Sequence, residues 1–64
     1  MSNVNFLKAT ILSLFSNKKA NALQIQQATK SRFPDTFRAL RALRNENQVT
    51  YNSENDYYEF NDTF

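Results

Sequence analysis

Apolar residues recur at helical spacing over the first quarter of the chain. On a helical wheel of about 100° per residue they form one stripe. Its members are Val4, Leu7, Ile11, Leu14 and Phe15. The stripe predicts a first amphipathic helix over about residues 3–16, with Ser2 or Asn3 as its N-cap. Asn17 is expected to take the left-handed conformation that ends this helix, since the chain has no glycine.

A second helix is predicted over about residues 22–31. Asn21 and Gln24 stand three residues apart, which is the spacing of a capping box with Asn in the place of Ser or Thr. The residues expected to face inward are mostly small, which would let a following helix approach closely. They are Ala22, Ile25, Ala28 and Thr29.

A third helix is predicted over about residues 34–45, after a tight turn. Pro34 suits the first helical position, because the N–H that proline lacks would have no intrahelical acceptor there. Phe33 in the turn is expected in the core, and Asn47 is expected to take a left-handed conformation after the helix. Further core positions at helical spacing are Phe37, Leu40 and Leu43.

The pattern changes to a period of two in the last quarter of the chain. Two β-prone runs, starting at Val49 and ending at Phe60, flank the polar segment "NSEND". They predict a β-hairpin over about residues 49–60, with Asn52 and Asn55 as the residues best suited to positive φ. Residues 1–64 are therefore predicted to form one domain, mainly α with a β-hairpin (α+β).

The charges divide the chain into two parts. Residues 1–44 contain all eight basic residues and one acid, a net charge of +7, whereas residues 45–64 contain five acids and no base, a net charge of −5. This split indicates a basic face for a polyanion. A charged surface that only keeps a small protein in solution would account for it equally well.

The residue types that are missing exclude several classes of function. Without cysteine or histidine, disulfides, thiol nucleophiles and the usual base at neutral pH are absent. Without glycine, no P-loop or dinucleotide-binding loop of ordinary form is expected. We therefore expect no enzymatic activity, no cofactor and no metal site. The chain has neither a membrane-spanning apolar run nor the order of a signal peptide, so we expect a cytoplasmic protein, associated with the nucleoid if bacterial.

Three arginines recur at every third position of the third helix. Arg38 is expected opposite the core, where its guanidinium can bond a guanine in a major groove, and Asn45 suits adenine. Arg41 is expected on a flank, and Arg44 near the buried edge with its stem packed. Thr36 can donate to a phosphate near the helix N-terminus. An ordinary solvent-exposed helix face is the alternative for the arginines. The small residues expected beside Arg38 are Ala39 and Ala42.

The segment "ANALQIQQATKSRFPDTFRALRALRNENQVTY" resembles winged helix-turn-helix DNA-binding domains, and the whole chain is similar in proportions to small bacterial or phage regulators. The resemblance implies a three-helix winged helix-turn-helix fold and a transcriptional regulator that reads double-stranded DNA with helix three in the major groove. The recognition residues that it implies are Thr36, Arg38, Arg41, Ala42 and Asn45. The phosphate contacts that it implies are Asn21, Lys30 and Arg32.

Two departures from that family pattern leave another function open. The turn before helix three has Ser31 where the family has glycine, and the hairpin carries acids that would repel phosphate. These acids are Glu54, Asp56 and Glu59. The alternative is a protein-interaction winged helix, a phage-type inhibitor or adaptor, that binds through this hairpin and through Phe6 or Leu12. Because one small domain offers few base contacts, a homodimer is also expected if the partner is DNA.

Overall fold

The computed structural model describes residues 4–61, which form three α-helices and one three-stranded antiparallel sheet. In chain order the elements are α1 (Val4–Phe15), β1 (Lys19–Ala20), α2 (Ala22–Thr29), α3 (Phe33–Asn45), β2 (Val49–Asn52) and β3 (Tyr57–Phe60). This is an α+β fold with a hairpin, as predicted. The expected N-cap at Ser2 or Asn3 lies outside the described residues.

The core lies where the three helices meet one side of the sheet. Ile11 of α1, Ile25 of α2 and Leu43 of α3 are fully buried. Tyr58 and Phe60, two residues apart on β3, are buried beside them, as the period of a strand requires. Each large apolar side chain buried in this way stabilises the fold by about 1.5–3 kcal/mol, which makes this single cluster the main source of stability.

The sheet has β3 as its central strand. β2 and β3 form the predicted hairpin, in which Val49 lies opposite Phe60. β1 pairs with the other edge of β3, with Ala20 opposite Tyr58. The sequence pattern does not predict β1, because a strand of two residues is too short to show alternation. The sheet therefore connects the segment between α1 and α2 to the end of the chain.

α3 buries its predicted side in part. Leu40 and Leu43, two of the three helix positions predicted to face inward, are buried, and Phe37 is not. The buried residues of α3 are Thr36, Ala39, Leu40 and Leu43. Phe33 is 42% exposed and Phe37 is 49% exposed, so the prediction that both lie in the core is wrong. The small side chains of Thr36 and Ala39 allow α3 to approach its neighbours closely, whereas a phenylalanine on this side would hold the helix backbones apart.

Two further core predictions, Leu14 and Ala28, are also wrong. Both side chains are exposed. Leu14 lies about 60° around α1 from Ile11, and Ala28 lies about 60° around α2 from Ile25. They are therefore at the edges of their apolar stripes, where the neighbouring elements of a small domain do not reach.

Each helix is followed by a non-glycine residue in the left-handed region. Asn17 (φ 59°) follows α1 and Asn47 (φ 61°) follows α3, so both predictions are confirmed. Lys30 (φ 56°) is the left-handed C-cap of α2, which ends this helix two residues earlier than predicted. For a lysine this conformation costs about 1–2 kcal/mol, so the surrounding contacts must hold it there.

The hairpin turn uses Asp56 for positive φ (56°), and the prediction of Asn52 and Asn55 is wrong. The side-chain oxygen of Asn52 accepts hydrogen bonds from the backbone N–H groups of Glu54 and Asn55, at 3.0 and 3.1 Å. An asparagine that closes a turn through its side chain does not need a left-handed backbone. The residue with the left-handed backbone is therefore Asp56, at the end of the turn.

Candidate nucleic-acid interface

α2 begins with the predicted capping box. Asn21 Oδ1 accepts a hydrogen bond from the N–H of Gln24 at 2.7 Å, and Gln24 Oε1 accepts one from the N–H of Asn21 at 2.9 Å. Asn21 is exposed, and its oxygen is already used by the cap. Its side-chain NH₂ is the group that a phosphate near this helix end would meet.

The turn between α2 and α3 is held by hydroxyl groups. Ser31 Oγ lies 2.7 Å from Thr29 Oγ1 and 2.6 Å from Thr36 Oγ1. The side-chain amide of Gln26 also donates to the Ser31 carbonyl oxygen at 2.8 Å. These bonds join the end of α2 to the first turn of α3 and fix the angle between the helices without a glycine.

Two predicted phosphate contacts, Lys30 and Arg32, flank Ser31 in this turn. Both side chains are exposed. Arg32 is the N-cap residue of α3 and makes no side-chain capping bond. The turn therefore presents two positive charges beside the N-terminus of α3, where the backbone N–H groups also favour an anion.

Thr36 is not part of this surface. Its side chain is 0% exposed, and its hydroxyl donates to the carbonyl oxygen of Arg32 at 2.9 Å. The predicted phosphate contact by Thr36 is therefore wrong, because the hydroxyl is buried and holds the turn together. A threonine after a proline does not reveal from sequence alone whether its hydroxyl faces solvent or the preceding turn.

The outer side of α3 carries Arg38 and Arg41. On a helical wheel, each lies about 150° from the middle of the buried side, one on either side of the outward direction. Arg41 is thus as far from the core as Arg38, and the prediction that it lies on a flank is wrong. Together with Pro34 and Phe37, the two arginines line an open cleft of about 300 Å³.

The remaining predicted recognition residues differ in exposure. Asn45, the last residue of α3, is exposed and shares the outward direction with Arg38 and Arg41, whereas Ala42 is half-buried at the edge of this side. Ala39 is fully buried, so its predicted place beside Arg38 is wrong. Two arginines and one asparagine therefore form the polar part of the outer side.

The salt bridges within residues 4–61 lie elsewhere. Lys8 of α1 pairs with Glu46 after α3, and Lys19 Nζ of β1 lies 3.6 Å from Glu59 Oε1 of β3. Neither of these two salt bridges involves Arg38 or Arg41, and the side chains of both arginines are exposed. These two salt bridges join α1 to the residue after α3, and β1 to β3.

Arg44, the third arginine of α3, faces the sheet. Its guanidinium carbon lies 5.5 Å from the centre of the Tyr51 ring, a cation–π distance. The Tyr51 hydroxyl donates to Asp56 Oδ1 at 2.6 Å, and this hydrogen bond to a carboxylate raises the pKa of Tyr51. Burial raises the pKa of Tyr58, the cross-strand neighbour. Arg44 therefore belongs to the contact between α3 and the hairpin.

An exposed aromatic pair at the start of α3 escapes sequence-based prediction. The rings of Phe33 and Phe37 stack with their centres 6.1 Å apart and an interplanar angle of 25°. Phe37 also forms part of the cleft with Arg38 and Arg41. The spacing of four residues between Phe33 and Phe37 indicates that the two side chains contact each other on one helix face. This spacing does not show whether that face is buried or exposed.

Comparison with known proteins identifies no family. No family model, curated protein or solved structure matches the chain. Across residues 4–61, no helix has the length and apolar character needed to cross a membrane. In the same part of the chain, no group of three or more carboxylates could hold a metal ion. The candidate interface is therefore defined by its own residues.

Proposed function

We propose that this chain is a winged helix-turn-helix domain and a transcriptional regulator that binds double-stranded DNA with α3 in the major groove. The observation that carries the proposal is the exposed pair Arg38 and Arg41 on the side of α3 opposite its buried face. A major groove admits an α-helix, and guanidiniums on the outer side of such a helix can bond guanine O6 and N7.

The residues of α3 have different roles in the proposed complex. Arg38 and Arg41 donate hydrogen bonds to guanine O6 and N7 or to phosphate oxygens, and Asn45 pairs with adenine where it reaches the base edge. Ala42 leaves room beside them. The half-buried position of Ala42 favours a role in spacing over a direct contact.

The turn before α3 supplies the proposed backbone contacts. Lys30 and Arg32 are exposed on either side of Ser31, and the NH₂ group of Asn21 stands at the start of α2. Contacts of this kind set the position of a protein on DNA without reading sequence. The hydroxyl bonds of Ser31 support the proposal, because they hold this turn in a fixed position relative to α3.

The hairpin has a limited role in the proposed complex. Glu54 and Asp56 are exposed at its tip, and their charges repel phosphate. We therefore propose that the wing stays away from the DNA backbone, and that two copies of the chain bind together to obtain enough base contacts. The setting of such a complex is the cytoplasm, at the nucleoid if the source is bacterial.

The test is fluorescence anisotropy of a labelled pool of random duplex DNA, titrated with the protein at several salt concentrations. We expect binding that weakens steeply with salt, because cations released from phosphates drive it. The duplexes that the protein enriches from this pool give a selected sequence. Arg38→Ala should weaken binding to that sequence by about 1–3 kcal/mol if the guanidinium contacts a guanine.

The matched control is Arg44→Ala, which removes the same charge from the same helix at a position that faces Tyr51. It should leave the affinity nearly unchanged. If folded wild-type protein does not bind duplex DNA at low salt, or if Arg44→Ala weakens binding as much as Arg38→Ala, the proposed face is wrong.

A protein partner is the alternative, and two observations favour it. The hairpin tip is acidic and exposed, and Phe6 of α1 is 72% exposed. A pull-down from host extract in which Glu54→Lys loses the partner, while Arg38→Ala keeps it, would support this second function. The opposite pattern would exclude the hairpin as the binding site.

A further inference from the structure

The aromatic pair Phe33 and Phe37 stands at the edge of the proposed DNA-binding face. An apolar side chain that is about half exposed has a cost in water unless a partner covers it. Here the two rings stack on each other, on either side of Pro34, whose ring fixes the backbone in the first turn of α3. The pair is therefore held in a defined position before any partner arrives.

The cleft combines two kinds of chemistry in one space. Phe37 and Pro34 supply an apolar wall, and Arg38 and Arg41 supply guanidiniums. A matching ligand has an apolar group next to hydrogen-bond acceptors and carries negative charge. In the major groove, the C5-methyl of thymine provides the apolar group, guanine O6 and N7 of a neighbouring pair provide acceptors, and the phosphates provide the charge.

We propose that Phe37 reads the C5-methyl group of a thymine next to the base pair contacted by Arg38 or Arg41. This inference rests on the proposed function and specifies its substrate as thymine-containing duplex DNA. Phe37 makes the contact because it lines the cleft with the arginines, whereas the ring of Phe33, 6.1 Å away, lies outside the cleft lining.

Stacking on unpaired bases is the other chemistry open to exposed phenylalanines. The ring of Phe33 lies 6.1 Å from that of Phe37, and Arg38 and Arg41 line the same cleft as Phe37. A methyl group needs only the exposed edge of a ring. The acceptors that the guanidiniums of Arg38 and Arg41 match, guanine O6 and N7, stand beside the thymine methyl group in the major groove. The composition of the cleft therefore favours the methyl group of a paired thymine over an unpaired base.

The experiment compares thymine with uracil, which lacks only the methyl group. Each thymine of a duplex selected from the random pool is replaced in turn by uracil, and affinity is measured by anisotropy. With wild-type protein, we expect replacement at one position to weaken binding by about fourfold, the value of one buried methyl group. The other positions should change affinity little.

Two variants assign this effect to Phe37. Phe37→Ala and Phe37→Gln should both bind the thymine and uracil duplexes equally, and the second variant keeps a side chain of substantial length if the first fails to fold. Phe6→Ala removes an even more exposed phenylalanine from α1. It should keep the full discrimination between thymine and uracil.

Three results would overturn the inference. Equal binding of thymine and uracil duplexes by wild-type protein would do so while leaving the proposed function intact. Undiminished discrimination by folded Phe37→Ala or Phe37→Gln would assign the methyl contact to another residue. Failure to bind any duplex, or preference for single strands over duplex, would overturn both the inference and the proposed function.

Discussion

Thr36 is a polar residue at the centre of the helical core, and its hydroxyl has a partner on each side. It donates to the carbonyl oxygen of Arg32 and meets the hydroxyl of Ser31. Buried polar groups are tolerated when they are hydrogen-bonded in this way. At this position one side chain both fills space beside Ala39 and ties the turn to the helix that follows it.

Replacing Thr36 by valine should therefore destabilise the fold although it preserves the volume. The change removes the hydroxyl and leaves Ser31 without one of its partners, so we expect the free energy of unfolding to fall by about 1–3 kcal/mol. Urea denaturation measures it. In a Ser31→Ala background the same substitution should cost less, because the partner is already gone; additive losses would show that the two hydroxyls do not interact.

At the scale of elements, helix existence and hairpin position could be predicted because they depend on local patterns. The capping box at Asn21 and the period of two in the hairpin are local and unambiguous. On α3 the burial of Leu40 and Leu43 could be predicted in the same way, but that of Thr36 and Ala39 could not. Two apolar sets of residues overlap around α3, one that includes Phe33 and Phe37 and one that includes Ala39. Which set is buried depends on how closely the neighbouring helices pack against α3.

In the candidate site, too, features that depend on local patterns could be predicted and features that depend on packing could not. The exposure of Arg38 could be predicted from a helical wheel, and that of Lys30 and Arg32 in the turn from their charge. Thr36 is buried and Phe37 is exposed because the side of α3 that carries Thr36 and Ala39 packs against the core. A sequence-based prediction that assigns the larger side chains to the core misses both features, because burial in a small domain is decided by space as well as by hydrophobicity.

The connection between α2 and α3 separates stability from binding. Lys30 has a left-handed backbone, which glycine adopts without a steric penalty, so Lys30→Gly should raise the free energy of unfolding by about 0.5–1 kcal/mol after the extra chain entropy of glycine is subtracted. It also removes a proposed phosphate contact. The slope of log affinity against log salt should fall by about one.

Asn47→Gly is the matched control for Lys30→Gly. Asn47 also has a left-handed backbone, φ 61°, and it carries no charge. It should stabilise the fold by a smaller amount, because asparagine tolerates this conformation, and should leave DNA binding unchanged. Loss of stability in Lys30→Gly, or an unchanged salt slope, would contradict the role given to this turn.

At the scale of the whole molecule, opposite charges are concentrated in different parts of the chain. The bases lie within residues 1–44, and most of the acids lie in or near the hairpin. In the fold, Lys8 pairs with Glu46 and Lys19 with Glu59, so the charges that remain apart are those of the turn and the outer side of α3 and those of the hairpin tip. A separation of this kind orients a molecule in the field of a polyanion before contact occurs. In the proposed complex this field would turn the basic turn and α3 toward the DNA and the hairpin tip away from it.

Reversal of one charge at the hairpin tip tests this orientation. Glu54→Lys should tighten binding to any duplex at low salt, and the gain should vanish as salt shortens the range of the field to about 3 Å at 1 M. The measurement is the same anisotropy titration, with Glu54→Gln expected to give a smaller gain. An affinity that is unchanged at every salt concentration would mean that the tip is too far from the DNA to matter.

The central place of β3 in the sheet also determines when the fold can be completed on the ribosome. β1 and β2 have no pairing with each other, and both wait for Tyr57–Phe60. At synthesis rates of roughly 5–20 residues per second, β1 remains unpaired for on the order of 2–8 s before its partner is made. A nascent chain cut short before Tyr57 would lose the pairing of both edge strands at once.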